Sequence, residues 1–307
     1  MNKKIKVLLK VIVSVGLIAF LMNQVDFKEI INILKKVDMK MILFALLLLI
    51  IQIFIANLRW QVVLNSQKIN INFNKTLMFF WSGLFFNQVM PSSVGGDVIR
   101  GYYLKKWGMS LESAALGVLM DRLFGILGLT LLVLTQLSFL FDILNDTSAQ
   151  SGVIIIAISV TSGLAFLFFT DKLPGNFAHF RIIKGFYSLS KNARSCISDS
   201  YKGLSIIIIS IIIHLFSVFA VMAISNGLGL NIDWRGLLLI IPIITLIMVI
   251  PISIAGWGIR EGVMVVGLSY LGVSSEAALV LSVLYGLSIL FVSLPGGVIW
   301  TLNRTNS

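Results

Sequence analysis

One cysteine, two histidines, five prolines and thirteen acidic residues are all that this 307-residue chain contains of those types. Each scarcity excludes something. Cys196 alone cannot form an intramolecular disulfide or a cysteine-rich metal site. His179 and His214 lie far apart and offer no metal constellation, so no metal and no cofactor is expected. His214, alone in an uncharged stretch, is read as a hydrogen-bonded interior histidine. There is no Ser-His-Asp order and no Walker-type phosphate loop, so neither that nucleophilic chemistry nor ATP hydrolysis is supported. Charge of either sign is sparse at 12%, about half the share of an ordinary soluble domain.

What remains is oil. Hydrophobic residues make up 58% of the chain, and charges are absent throughout 41–58, 76–96, 152–170, 203–232, 236–259 and 277–303. A helix needs roughly 20 apolar residues to cross the hydrocarbon core. The fold class is therefore an all-α polytopic membrane protein. The longest polar stretch, about 171–202, leaves no room for a separate soluble domain. The start, MNKKIKVLLK before a hydrophobic run, has the charge order of a signal peptide but no small-residue cleavage site, so an uncleaved first span is expected. Eight hydrophobic units are read: about 5–23, 40–58, 76–107, 111–137, 152–170, 203–225, 237–273 and 276–301.

The net charge of +11 is read against a membrane before nucleic acid. Lys and Arg concentrate in cytoplasmic loops. With the basic N-terminus inside, both termini are cytoplasmic, 59–75 and the 171–202 connector fall inside, and 138–151 with Asp142 and Asp146 falls outside. The connector alternates cations with Phe177, Phe180, Phe186 and Tyr187, the pattern of an amphipathic segment lying on anionic inner-leaflet lipids.

The few prolines and glycines are not scattered. Residues 91–100 read PSSVGGDVIR and 251–260 read PISIAGWGIR, with proline, serine, the second glycine and arginine in register. Proline disfavours helix for the residue before it, and the glycines loosen the backbone just after it. Units three and seven are thus each predicted to be two half-helices joined by a break, as re-entrant hairpins. The likeness continues past the breaks, with Ser110, Glu112 and Leu116 echoed by Ser274, Glu276 and Leu279. The chain then parses as two units of span, span, hairpin, span: repeat one about 5–137, repeat two about 152–301. That makes about six full spans plus two hairpins in one membrane domain. Each unit crosses an odd number of times, so the second is inverted, the plan of many secondary transporters.

The breaks also supply the candidate site residues. Arg100 and Arg260 end the two decapeptides, and a buried arginine in lipid is costly enough to imply a polar interior or pathway. Beside half-helix starts, with Gly96 and Gly256 allowing close approach and Ser93 and Ser253 as hydroxyls, they suit an anion. Pairing is the competing reading: Arg100 with Asp97, Arg260 with Glu261. Pro91 and Pro251 shape the breaks. Asp121 and Arg122, about ten residues into the fourth unit, are read as a mid-membrane ion-pair strut linking the halves, with the Asp97–Arg100 hairpin the nearest partner.

Three segments, MPSSVGGDVIRGYYL, ALGVLMDRLFGILGL and VIPISIAGWGIREGV, resemble the signature regions of a flippase-like transmembrane family. That family includes the membrane half of bacterial lysylphosphatidylglycerol synthases, the multiple peptide resistance factor. The resemblance covers about 76–301. Its motifs would fall on Pro91, Gly96, Asp97 and Arg100; on Asp121 and Arg122, where the family more often has Glu before the Arg; and on Gly258, Arg260, Glu261 and Gly262. The bifunctional relatives append a soluble aminoacyl-transferase domain, whereas this sequence stops at Ser307, so lysyl transfer is not implied. The resemblance implies translocation of an anionic, phosphate-bearing or polyprenyl-phosphate-linked lipid across the cytoplasmic membrane of a bacterial cell. The alternatives are an integral-membrane transferase using Asp97, Asp121 or Glu261 as base, and a scaffold for lipid or glycan synthesis.

Overall fold

The computed structural model describes residues 12, 16–17, 19–23, 25–90, 94–144, 146–172, 181–250 and 255–305. Every regular element among them is helical. In chain order these are α1 (Phe27–Lys35), α2 (Met39–Ser66), α3 (Phe73–Val89), α4 (Gly95–Lys106), α5 (Leu111–Ile143), α6 (Thr147–Phe169), a 3₁₀ turn (Thr170–Lys172), α7 (Arg181–Ser198), α8 (Ser200–Gly227), α9 (Trp234–Met248), α10 (Ile259–Ser269) and α11 (Ser275–Thr305). The described residues between 16 and 22 are helical as well. Five of these helices are long and apolar enough to cross a membrane: Met39–Ser66, Leu111–Ile143, Thr147–Lys172, Tyr201–Gly227 and Ser275–Asn303. The chain is a helical membrane protein.

Local chemistry sets the boundaries. Ser110 and Asp146 cap α5 and α6, their side chains accepting the N–H groups of Ser113 and Ala149, and Asp233 caps α9 by accepting from Arg235. Units three and seven are interrupted where proline and glycine predict it. Helix α3 has stopped by Met90 and α4 begins at Gly95; α9 has stopped by Val249 and α10 begins at Ile259. Pro91, Ser93, Pro251 and Ser253 lie outside the described residues.

One sequence expectation needs correction. The second span does not end near residue 58, because α2 runs to Ser66 and carries Arg59 inside it. Arg59 is therefore a helix residue, not part of a cytoplasmic loop. Its charge is tolerated there because it is buried against a partner rather than offered to lipid. Between the first and second hydrophobic units the chain forms α1. That helix leaves Phe27, Ile31 and Leu34 exposed while Asp26 caps its start through the Lys28 N–H. Phe27, Ile31 and Leu34 share one exposed face, with Lys28 and Lys35 at its flank and Glu29 opposite, as an interfacial helix presents to a membrane surface.

Two compact units form. One comprises residues 1–53, 78–100 and 215–307; the other comprises 54–77 and 101–214. In the first, α9, α10 and α11 pack in succession, and α1 packs on α11. In the second, α5, α6 and α7 pack together around Phe124, Met120, Leu164 and Ile206. Helix α7 inserts Leu189, Ala193 and Cys196 into that core and leaves Phe186 and Tyr187 outside. The connector is thus amphipathic. Burial holds the Cys196 thiol above its usual range.

Candidate functional site

The two breaks carry similar buried ion pairs. In the first, Arg100 Nη2 donates to Asp97 Oδ1 at 2.6 Å across one turn of α4, and both side chains are nearly closed off from solvent, at 8% and 11% exposure. The guanidinium also lies over the ring of Phe80, 5.1 Å from its centroid. Helix α4 can start here because Asn87 on α3 accepts the Gly96 N–H at 2.7 Å, satisfying a donor that a half-helix start would leave orphaned. Position 96 admits only glycine: a Cβ there would run into the carbonyl oxygen of Gly83 and the side chain of Asn87.

In the second break, Arg260 Nη2 and Nε both donate to Glu261 Oε1, at 2.6 and 3.0 Å. The other carboxylate oxygen accepts the Gly258 N–H at 2.6 Å, and Ser282 Oγ donates to Oε1 at 3.3 Å. The acid at the third helical position reaching back to the cap N–H is one half of a capping box. Ala255, Gly256 and Gly258 all have left-handed backbone, with φ of 48°, 83° and 86°. That sharp turn aims the α10 start at α11, where Gly286 leaves space the guanidinium fills. Trp257 stacks on the same guanidinium at 4.5 Å.

Helix α3 and the α10 start both pack on one helix. Trp81 of α3 donates its indole N–H to the Val292 carbonyl of α11 at 2.8 Å, and Gly296 permits close approach to the Trp81 carbonyl. Phe86 and Trp300 meet edge to face at 4.9 Å. Six residues separate Gly286 from Val292, about 9 Å of helix. So α11 receives the second break at Ser282 and Gly286, and α3 just beyond.

The second unit holds a third charge pair, which counting along the sequence does not reveal. Arg59 Nε donates to Asp121 Oδ1 at 2.9 Å, with side-chain exposures of 9% and 3%. Ser210 Oγ accepts from Arg59 Nη1 at 3.3 Å, and Trp60 donates to the Gly117 carbonyl at 3.2 Å. His214 Nε2 lies 3.0 Å from the Gly125 carbonyl, an interior hydrogen bond as expected. Helix α5 is 33 residues long, about 50 Å against a core of roughly 30 Å. Ten residues into such a helix is therefore no measure of depth, and the mid-membrane placement of Asp121 loses its basis. The one advance signal for Arg59 was chemical: a buried acid such as Asp121 requires a cation from somewhere.

Among the described residues, no group of three His, Cys, Asp or Glu side chains is placed to hold a metal ion. The arrangement instead offers two guanidiniums at half-helix starts, each occupied by its own carboxylate. Such a pair binds a phosphate once the carboxylate yields, or an amine once the guanidinium does.

Known relatives of this chain are membrane proteins. A UPF0104 membrane protein of Methanothermobacter thermautotrophicus is 25% identical over 292 residues, covering 87% of this chain and 86% of its own. A UPF0104 membrane protein of Pyrococcus horikoshii is 27% identical over 154 residues, 49% of this chain and 45% of its own. The model of the lysylphosphatidylglycerol synthase TM region matches residues 7–296, and the chain belongs to that family.

Proposed function

We propose that this protein translocates a phosphate-bearing anionic lipid between the leaflets of the cytoplasmic membrane, through the two helix breaks. The observation that carries this reading is the pair of buried arginine–carboxylate couples, each at a half-helix start: Asp97–Arg100, with its guanidinium against Phe80 and Gly83 of α3, and Arg260–Glu261, set against Gly286 and Ser282 of α11. Family membership supports a lipid-related role. An apolar bundle gains nothing from two buried ion pairs as such, because hydrophobic replacements of similar volume are often equally stable. Exchange of the carboxylate for a lipid phosphate, and back, gives them a use. The proposal includes the inverted repeat. Its support is the element order, in which an amphipathic helix (α1, α7), a long helix (α2, α8), a broken pair (α3–α4, α9–α10) and another long helix (α5, α11) occur twice.

Arginine binds phosphate through a planar fork that lysine lacks. Arg100→Lys and Arg260→Lys are each expected to slow leaflet exchange of a fluorescent phosphatidylglycerol in proteoliposomes by about tenfold or more, a loss of roughly 1.4 kcal/mol per charge-assisted bond. Detergent melting should stay near wild type. Normal exchange by both variants would overturn the phosphate clamp.

The proposed orientation puts both termini in the cytoplasm. In a Cys196→Ser background, a cysteine at position 142 should react with a membrane-impermeant thiol reagent in intact cells, and one at position 191 should not. The opposite pattern would invert the topology.

The second reading is a structural strut, and Glu261 favours it. That carboxylate is 2% exposed and engages Arg260, Gly258 and Ser282 together, so releasing it requires α10 to move.

A further inference from the structure

Beyond the two breaks, the second unit contains a cavity of about 1020 Å³ between α5, α6 and α7. Its wall is apolar, with Leu131 of α5 and Leu164 and Phe168 of α6, whereas its mouth carries Lys172, Lys191 and Arg194 with the hydroxyls of Ser195 and Ser198. From Thr161 in the wall to Lys172 at the mouth is 11 residues along the α6 axis and the turn after it, about 16 Å. That is about half the roughly 30 Å core, the depth of one leaflet.

The mouth is built, not incidental. Ser190 donates to Asp171 Oδ1 at 2.7 Å and accepts the Asp171 N–H at 3.3 Å, which fixes the carboxylate at the end of α6. Asp171 Oδ2 in turn accepts from Arg194 Nη2 at 2.6 Å. Arg194 is thereby held at the rim, yet its Nε is buried with no hydrogen-bond partner among the described residues. A buried unsatisfied donor on a cation indicates a missing acceptor. Lys172 and Lys191 are exposed beside it. Three cations stand against the one carboxylate of Asp171, so the rim is cationic while the interior is oily.

The geometry points to a binding site for one anionic glycerophospholipid, its phosphate at Lys172, Lys191 and Arg194 and one acyl chain laid between α5 and α6. The charge selects an anionic headgroup, and the one-leaflet depth of apolar wall selects a lipid over free phosphate. None of these residues is an arginine or carboxylate of the two breaks, so the site stands whether or not translocation does. It lies at the end of α6 where the basic connector begins, which in the proposed orientation faces the inner leaflet.

The test uses the full-length protein in nanodiscs containing a phosphatidylglycerol with a photoreactive acyl chain, beside a phosphatidylcholine with the same chain. Phosphatidylglycerol should label peptides from 127–134 and 161–168, and phosphatidylcholine should label them weakly. The exposed-residue double variant Lys172→Gln/Lys191→Gln should keep its melting temperature and lower phosphatidylglycerol labelling by about tenfold or more, as loss of two near-surface cations requires. Arg100→Lys should leave the labelling intact, which separates this site from the translocation reading. Equal labelling by the two lipids, labelling unchanged in the double lysine variant, or displacement of the lipid by millimolar inorganic phosphate would each overturn the proposal.

Discussion

Glu261→Gln is expected to remove most of the folded protein. The wild-type carboxylate satisfies the Gly258 N–H, the Ser282 hydroxyl and two donors of Arg260 at once, at 2% exposure. The amide keeps the shape but leaves a buried guanidinium without a counter-charge. Breaking a buried pair this way costs about 3–5 kcal/mol, a large share of the roughly 5–15 kcal/mol that holds a typical domain. The measurement is detergent melting with the yield of monodisperse protein, and a fall of well over ten degrees or loss of the peak is expected. Arg260→Met/Glu261→Gln, which removes the charge as well, should recover a good part of the yield. A single variant melting like wild type would mean the pair does not brace the α10 start, and the strut reading would fall with it.

The Arg59–Asp121 pair should show an effect of similar size in the other compact unit. Arg59 is locked between Asp121 and Ser210, and Gly125 leaves it room, since a Cβ there would meet Nη1 at 3.1 Å. Arg59→Gln strands a carboxylate at 3% exposure, and Asp121→Asn strands the guanidinium. Each single change is expected to cost about 3–5 kcal/mol, and the double variant much less than the sum, with a coupling of about 2 kcal/mol or more. Melting of the four proteins in the cycle gives the coupling directly. Additive single effects would show that the two side chains do not depend on each other.

How much of the fold and the site is legible in the sequence varies with the range of the cause. Helix starts are legible where one side chain acts on the N–H two or three residues on, as Ser110 does for Ser113 and Asp146 for Ala149. The breaks are legible because proline and glycine act on their own backbone, and α10 does begin just after Gly258. The Asp97–Arg100 and Arg260–Glu261 pairs are available to counting, being three residues and one residue apart. Arg59–Asp121 is not, because its members are separated by 62 residues. A lone arginine at the end of an apolar run reads as the end of the span until its partner is known.

By itself the sequence determined the class and the punctuation: an apolar helical membrane chain, two broken elements, and arginines at their ends. These come from composition and from residues acting within a turn of themselves. Only the tertiary structure decided that Arg59 belongs inside a span, that α3 and the α10 start both pack on α11, and that Asp171 holds Arg194 over an apolar cavity. Each of those depends on which helix lies beside which. Packing sets that through close approach at Gly96, Gly286 and Gly296, and the cost of burying an unpaired charge then selects the partner.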